Sequence, residues 1–376
     1  MKFLFVGTHH ENTGAATHFV ALAQGLVEYG HDVDAVLLRD ALIWQGLAAS
    51  GVRRHAGRFR NVLDPHGYAA VRRAIRESRP DWLVGNFGKE YWPLVLLGRS
   101  HGIPVALFRH RTPAMKRFSA CFLPRLAQRF FAVSRHAREA YLAQGVPPHA
   151  VQVLYNPVNT ALFRPDPARG RAVRLALGIP DDAVVLGYAG RMHGGKGIFP
   201  LLEAAQQAMR AEPRLHCLWV GDGPDAAALR AAAAAMPDTA ARHHFTGWSD
   251  DTTGYFSSFS MLAFPSLATE TFGRVSIEAQ ACGIPVLASD IGGVPESLSP
   301  GETGRLLPPG DVPAWRQAIL DLCDERIRDQ MGQHARSFVQ QHFATDVIAA
   351  RFVAQLAEAV HRADSAAVHR GDLPAR

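Results

Sequence analysis

The sequence predicts an α/β protein built from two doubly wound, Rossmann-like domains that face a central cleft. Three observations carry that expectation. Short apolar, β-rich runs alternate with longer amphipathic stretches along the whole chain, which is the grammar of parallel sheets with helices on both faces. It is interrupted at residues 156–171, where Pro157, Pro165 and Pro167 read as an interdomain linker. Glycine-rich turns follow several of the strands, and such folds bind their ligands beyond the carboxyl ends of strands.

The 376 residues are enough for two or three domains, each with its own core. A hydrophobic fraction of 48% excludes a mostly disordered chain. In the first half, strands are expected at 2–7, 34–38, 82–86, 105–109, 130–134 and 151–155, with helices at 16–29, 68–78 and 135–144. The second half repeats the pattern, with strands at 184–188, 217–220, 243–246, 261–264 and 285–288 and helices at 198–211, 225–235, 274–282 and 314–323. These give an N-terminal domain over 1–160, a C-terminal domain over 161–345, a helix over 346–362 packing back on the N-terminal domain, and a flexible tail over 363–376.

The apolar core of Met1-Lys2-Phe3-Leu4-Phe5-Val6-Gly7 is too short for a signal peptide and reads as a strand. No apolar run approaches the ~20 residues needed to span a bilayer. The cysteines (Cys121, Cys217, Cys282, Cys323) lie far apart without a CxxC, which points to a reducing compartment and against a disulfide scaffold or structural zinc. A cytoplasmic protein is expected.

Charge is divided unevenly. Residues 1–165 hold 21 Lys and Arg against 10 Asp and Glu, whereas the remainder holds 19 against 24. The excess falls in groups: Arg53, Arg54, Arg58 and Arg60; Arg72, Arg73, Arg76 and Arg79; and Arg109, Arg111, Lys116, Arg117, Arg125 and Arg129. In the last group cations interleave with Met115, Phe118, Phe122 and Leu123, as in a segment that rests on anionic lipid headgroups. The bland alternative is a solvated surface. Nucleic acid is not expected as a partner, because no motif for it is present.

Three glycine-containing turns suit phosphate. After the first strand, Thr13-Gly14-Ala15 opens a helix but lacks GxGxxG, so a dinucleotide fingerprint is not supported. Gly190-Arg191-Met192-His193-Gly194-Gly195-Lys196-Gly197 nearly matches a P-loop, yet Gly197 stands where a hydroxyl should hold magnesium. What remains is a pair of cations, Arg191 and Lys196, placed to hold a pyrophosphate and to stabilise a departing nucleoside diphosphate without a metal. In the third, 265–279, the amides of Phe272, Gly273 and Arg274 open a helix after a loop carrying Glu270 and Thr271. Glu278 lies about 7.5 Å further along that helix, so one ligand could meet the helix start with its diphosphate, Glu278 with a ribose and Glu270 with a sugar. The histidine pairs His9-His10 and His243-His244 lack partners at ligand spacing, and no metal site is expected.

Taken in order, these residues resemble the retaining, GT-B-fold glycosyltransferases of family 4. The resemblance runs through the loop at Gly14, Val133-Ser134-Arg135, Asn156-Pro157, Gly190-Arg191 to Lys196-Gly197, Val220-Gly221-Asp222-Gly223-Pro224 and Phe245-Thr246-Gly247. Glu270 and Glu278, then 283–296, complete it. It departs where Ala15 replaces the second glycine of a common pair and Pro157 replaces a common glycine.

The resemblance implies transfer of a sugar from a nucleoside-diphosphate donor, most often UDP-linked, with retention and no cofactor or metal. Arg191, Lys196, Glu270 and His110 would be catalytic. Gly14, Ala15, Gly190, Gly247, Thr271, Phe272, Gly273, Arg274 and Glu278 would bind the donor. Arg111, Lys116, Arg117 and Arg125 are the expected contacts to an acceptor or membrane. The acceptor expected from the basic N-terminal half is a glycan or glycolipid of bacterial lipopolysaccharide core or surface polysaccharide, with the protein peripheral on the inner face of the cytoplasmic membrane. A soluble sugar or sugar-phosphate acceptor and a GT-B-like UDP-sugar 2-epimerase are the alternatives, with a silent nucleotide-sugar-binding module behind them.

Overall fold

A computed structural model of the chain describes residues 1–10, 13–111, 115–249 and 251–371. They form two compact units, Met1–Pro157 with Thr345–Arg376, and Val158–Ala344.

The first unit holds a seven-stranded sheet of β1 (Lys2–Gly7), β2 (Asp32–Leu37), β3 (Arg53–Ala56), β4 (Trp82–Gly85), β5 (Val105–Arg109), β6 (Arg129–Ala132) and β7 (Val151–Val153). All pairings are parallel and the order is β3-β2-β1-β4-β5-β6-β7. Side chains alternate between two cores, as the pleat requires. Phe3 and Phe5 enter one with Phe108 and Phe131, while Leu4 and Val6 enter the other with Leu83, Leu107 and Phe130. The helix Thr345–Gly371 closes the first core with Ile348, Ala349, Phe352 and Leu356, and the Phe352 ring lies 5.8, 5.6 and 5.5 Å from those of Phe3, Phe108 and Phe131.

The second unit holds β8 (Val184–Ala189), β9 (Leu215–Val220), β10 (His243–Gly247), β11 (Met261–Phe264), β12 (Val286–Ser289) and β13 (Gly304–Leu307), also all parallel, in the order β10-β9-β8-β11-β12-β13. Strand order reverses between β1 and β4 in one sheet and between β8 and β11 in the other. Those reversals are where crossovers diverge and leave a crevice beyond the strand ends.

The α/β class and the parallel sheets are as the sequence predicts; several elements are not. Strands β3 and β13 went unpredicted, as did the helices Tyr91–His101, Arg117–Leu126 and Glu325–His342. Strand β3 reads Arg-Arg-His-Ala and hides because it is an edge strand held by charge. The buried Asp34 carboxylate accepts from Arg53 at 2.7 Å and from His55 at 2.6 Å. The helix Arg117–Leu126 is masked by its internal Pro124. The expected linker is shorter than 156–171, because Pro167 is the first residue of the helix Pro167–Ala176, where its missing N–H costs nothing. Asp166 caps that helix, its carboxylate accepting from the Arg169 amide at 3.0 Å. Of the expected tail over 363–376, residues 363–371 continue the last helix, consistent with their alanine content; 372–376 lie outside the described residues.

Candidate functional site

In the C-terminal unit the expected residues other than Gly247, which ends the edge strand β10, gather at the strand-order reversal. After β8 the chain is tied to the end of β9: the Gly190 amide donates to the Val220 carbonyl at 3.0 Å and the Met192 amide to that of Asp222 at 2.8 Å. A single 3-10 turn, Gly194–Lys196, leads to Gly197. Gly197 has φ +69°, and a Cβ there would lie 1.8 Å from the Pro265 carbonyl oxygen. The position that carries a hydroxyl in a P-loop therefore admits only glycine. The amides of Leu267 and Ala268 both donate to the Gly195 carbonyl at 3.0 Å, stitching this turn to the loop after β11.

That stitching brings the Lys196 ammonium onto the Glu270 carboxylate, with both side chains partly buried. The Ser266 hydroxyl donates to the same carboxylate oxygen at 2.6 Å. The Phe264 ring lies 5.9 Å from the ammonium. The Glu270 carbonyl accepts from the Gly293 amide at 2.8 Å, so the acid is fixed through its backbone as well. Arg191 is exposed, its carbonyl accepting from the Tyr188 hydroxyl at 2.9 Å. Gly247 ends β10 with φ +76°, its carbonyl accepting from Gly221 at 2.8 Å.

Glu278 and Arg274 form a second pair, one helical turn apart, on the helix Arg274–Ala281. Glu278 is only 6% exposed, and burial pushes its carboxyl up while the Arg274 guanidinium opposes this. Gly273 stands at the N-cap with no side chain capping the helix. Phe272 turns its ring into the core, 5.6 Å from Phe343, and Thr271 beside it is half-buried. The arrangement offers two cation–acid pairs and an uncapped helix start around one loop, which suits an anion followed by hydroxyl groups.

Gly14, Ala15 and His110 belong to the N-terminal unit. Thr13 caps the helix Gly14–Glu28, and the Ala15 carbonyl accepts from the Asn86 side chain at 3.3 Å. Asn86 also lies 3.2 Å from His18 Nδ1, and the His18 ring stands 4.6 Å from that of His110. His110 is thus linked to the Gly14-Ala15 turn through buried Asn86 and His18, neither of which the sequence reading singled out.

It also missed Glu90. This acid is fully buried after β4 and accepts from the Thr8 amide at 3.0 Å and the Thr8 hydroxyl at 2.6 Å. The Thr8 hydroxyl in turn accepts from the Phe59 amide at 3.2 Å. Burial pushes the Glu90 carboxyl up to about 7, against these hydrogen bonds and Lys89. The available signal was the charged pair Lys89-Glu90, which begins four residues beyond the end of β4.

Arg111, Lys116 and Arg125 are exposed, and Arg117 begins the helix Arg117–Leu126. On that helix Phe118 is 63% and Phe122 42% exposed, their rings 4.7 Å apart, and Trp92 stacks on Phe118 at 5.3 Å. The histidine pair at 243–244 has a third member the sequence did not reveal, since His216 Nδ1 lies 3.0 Å from His244 Nε2. Among the described residues no group of three or more His, Cys, Asp or Glu side chains could hold a metal ion.

Two parallel sheets with these reversals define the GT-B class. The same fold is found in Anabaena Alr3699/HepE in complex with UDP, at TM-score 0.80 and 21% identity over 95% of this chain and 100% of that one. It recurs in a Rickettsia africae glycosyltransferase, at TM-score 0.81 and 17% identity over 96% and 98%. WaaG, a glycosyltransferase involved in lipopolysaccharide biosynthesis, matches at TM-score 0.64 and 16% identity over 92% and 97%. The "Glycosyltransferase Family 4" model matches residues 12–162 and the "Glycosyl transferases group 1" model residues 183–325. The chain belongs to this family of group 1, family 4 glycosyltransferases. Curated relatives include the D-inositol 3-phosphate glycosyltransferase of Saccharomonospora viridis, 32% identical over 52% of this chain and 47% of the relative. That of Streptomyces scabiei is 31% identical over 68% and 63%. The chain thus spans about half to three-fifths of the length of the curated relatives it matches.

Proposed function

We propose that the protein transfers a sugar from a UDP-sugar to a glycan or glycolipid acceptor, with retention at the anomeric carbon and no bound metal. The observation that carries this reading is the Lys196–Glu270–Ser266 cluster at the β8/β11 reversal, beside the uncapped start of the helix Arg274–Ala281. Arg191, Lys196 and the amides of Gly273 and Arg274 take the donor diphosphate, with Gly190, Thr271 and the Phe272 backbone shaping that end. Glu270 takes the donor sugar hydroxyls, Glu278 the ribose, and the backbone at Gly247 the base. The bond from the anomeric carbon to the phosphate oxygen breaks as the acceptor oxygen bonds on the same face. The acceptor proton passes to the departing phosphate, whose charge Arg191 and Lys196 absorb.

The UDP bound by Alr3699/HepE supports a UDP-linked donor. The Phe118–Phe122 pair beside Lys116 supports a glycolipid acceptor met at the inner face of a membrane, in synthesis of lipopolysaccharide core or surface polysaccharide. A soluble sugar phosphate is the second reading, favoured by the inositol-phosphate enzymes among the relatives.

A thermal-shift panel with UDP, GDP, ADP and CMP tests the donor assignment. At 100 times its dissociation constant a ligand adds about 2.7 kcal/mol, which raises the melting temperature by a few degrees at this chain length. A shift with UDP that disappears in Lys196→Ala is expected. Absence of a shift with every nucleotide overturns the reading.

A further inference from the structure

A cavity of about 550 Å³ opens in the N-terminal unit beyond the carboxyl ends of β2 and β3. Arg39, Arg58, Arg60 and Arg73 line it, against two acids, Asp40 and Asp64. Asp64 is engaged: buried, it caps the helix Pro65–Ser78 and accepts from the Arg60 amide at 2.8 Å, and those amides hold its carboxyl below the usual range. The four guanidinium groups are exposed and make no hydrogen bond or ion pair among the described residues. Three other arginines of this unit are occupied: Arg53 by Asp34, Arg54 by the Trp44 carbonyl and ring, and Arg138 by Glu139 and two carbonyls. Arg72 and Arg76 are exposed like these four but lie outside the cavity. What sets Arg39, Arg58, Arg60 and Arg73 apart is that they are unengaged and line one cavity together.

Two features build the cavity rather than merely charge it. The first turn of the helix packs flush against the loop that follows β3, since a Cβ on Gly67 would lie 2.3 Å from the Phe59 ring. The segment 58–60 is pinned from the other side by the Phe59 amide donating to Thr8, which Glu90 holds. Arg58 and Arg60 thus flank an anchored residue, and Arg73 faces them from the helix.

We infer that this arginine-lined cavity binds the anionic, phosphate-bearing part of the acceptor. The inference rests on the transferase reading above for the word acceptor, and on the cavity alone for the anion. Planar guanidinium groups pair with phosphate oxygens through two parallel hydrogen bonds, and several around one cavity outcompete water where a single surface arginine does not. The phosphate can belong to a soluble sugar phosphate or to a lipid-linked glycan.

The test sets two charge-matched variants against each other. Arg58→Ala/Arg73→Ala empties the cavity of two cations; Arg72→Ala/Arg76→Ala removes two exposed cations from the same helix outside it. Exposed, unpaired side chains can be removed with little effect on folding. Inorganic phosphate and glucose 6-phosphate are titrated by ³¹P line broadening, and vesicles of phosphatidylcholine with phosphatidylglycerol by sedimentation. Losing two charge-assisted contacts should weaken binding of both soluble probes by roughly tenfold or more in the cavity variant and by less than about twofold in the control. Unchanged vesicle partition in the cavity variant then identifies a soluble sugar phosphate, and partition falling with it identifies a lipid-linked one. Equal losses in both variants, no loss in either, or loss of vesicle partition alone overturns the proposal. The UDP-induced thermal shift is measured on the same proteins: its presence in all of them keeps the donor reading whatever the phosphate result, and its absence in wild type removes that reading without touching the cavity.

Discussion

At the order reversal of the N-terminal sheet, the acid beyond the strands, Glu90, is fully buried and bonded to the neutral groups of Thr8. At the equivalent place in the C-terminal sheet, Glu270 is partly exposed and meets the Lys196 ammonium. One topology has thus produced two electrostatically different crevices. The difference lies in which side chain the opposing turn supplies: threonine after β1, lysine after β8. Burial drives the Glu90 carboxyl toward its neutral form, where it serves to hold the turn, whereas Glu270 sits against an ammonium and is partly exposed, where a polar ligand can reach it. The cations beside the two crevices differ as well: Lys196 and Arg274 are paired with acids, while Arg39, Arg58, Arg60 and Arg73 beyond β2 and β3 are unengaged.

The largest expected effect lies in the C-terminal crevice. Lys196→Ala should lower the rate of sugar transfer from UDP-sugar by ~10²–10³, the cost of removing one donor aimed at developing charge. Glu270→Gln should lower it comparably while keeping the UDP-induced thermal shift, because the carboxylate is assigned to the sugar and the ammonium to the diphosphate. A Glu270→Gln protein that no longer binds UDP would sink that division of labour and make Glu270 a positioning residue for Lys196.

The N-terminal acid should instead reveal itself in stability. Its pKa in the folded chain is raised to about 7 from the ordinary 4.5. Between those values the folded chain holds a proton that the unfolded chain has released, so the stability present at low pH falls as pH rises toward 7 and is flat above. The full loss is about 3 kcal/mol at 1.36 kcal/mol per pKa unit. Glu90→Gln keeps an oxygen to accept from Thr8 and carries no charge. Its melting temperature should match wild type near pH 4 and exceed it by several degrees at pH 8. Parallel pH profiles for the two proteins would show that Glu90 does not titrate in this range, and the contrast with Glu270 would collapse.

How much of this was legible depended on the kind of signal. Alternation exposed both sheets because buried parallel strands are runs of apolar residues, and Gly197, Lys196 and Glu270 stood out because strand, glycine and charge fall close together in sequence. The N-terminal crevice was opaque for the opposite reason. Thr8 and Glu90 are 82 positions apart, and Asn86, His18 and His110 meet only when three elements pack. Strand β3 was lost among arginines because its partner, Asp34, lies 19 residues earlier. Grouping Arg53, Arg54, Arg58 and Arg60 by sequence proximity hides a division that only packing shows, since Arg53 and Arg54 are engaged and Arg58 and Arg60 line the cavity.

The smallest effect concerns the other cationic face of the N-terminal unit. Phe118 and Phe122 are exposed side by side on a helix that follows Lys116, and their removal should cost little folding stability because so much of each already faces water. Inserted among headgroups, the two rings would add on the order of 1–2 kcal/mol and one neighbouring cation ~1 kcal/mol. Phe118→Ser/Phe122→Ser should therefore reduce partition onto phosphatidylglycerol-containing vesicles about tenfold at any salt concentration, and Lys116→Glu should reduce it by a comparable factor only at low salt. That difference in salt dependence separates an inserted helix from a charged surface attracted at a distance. If both variants respond to salt alike, the aromatic pair does not enter the bilayer, and this face meets the membrane only as a charged surface attracted at a distance.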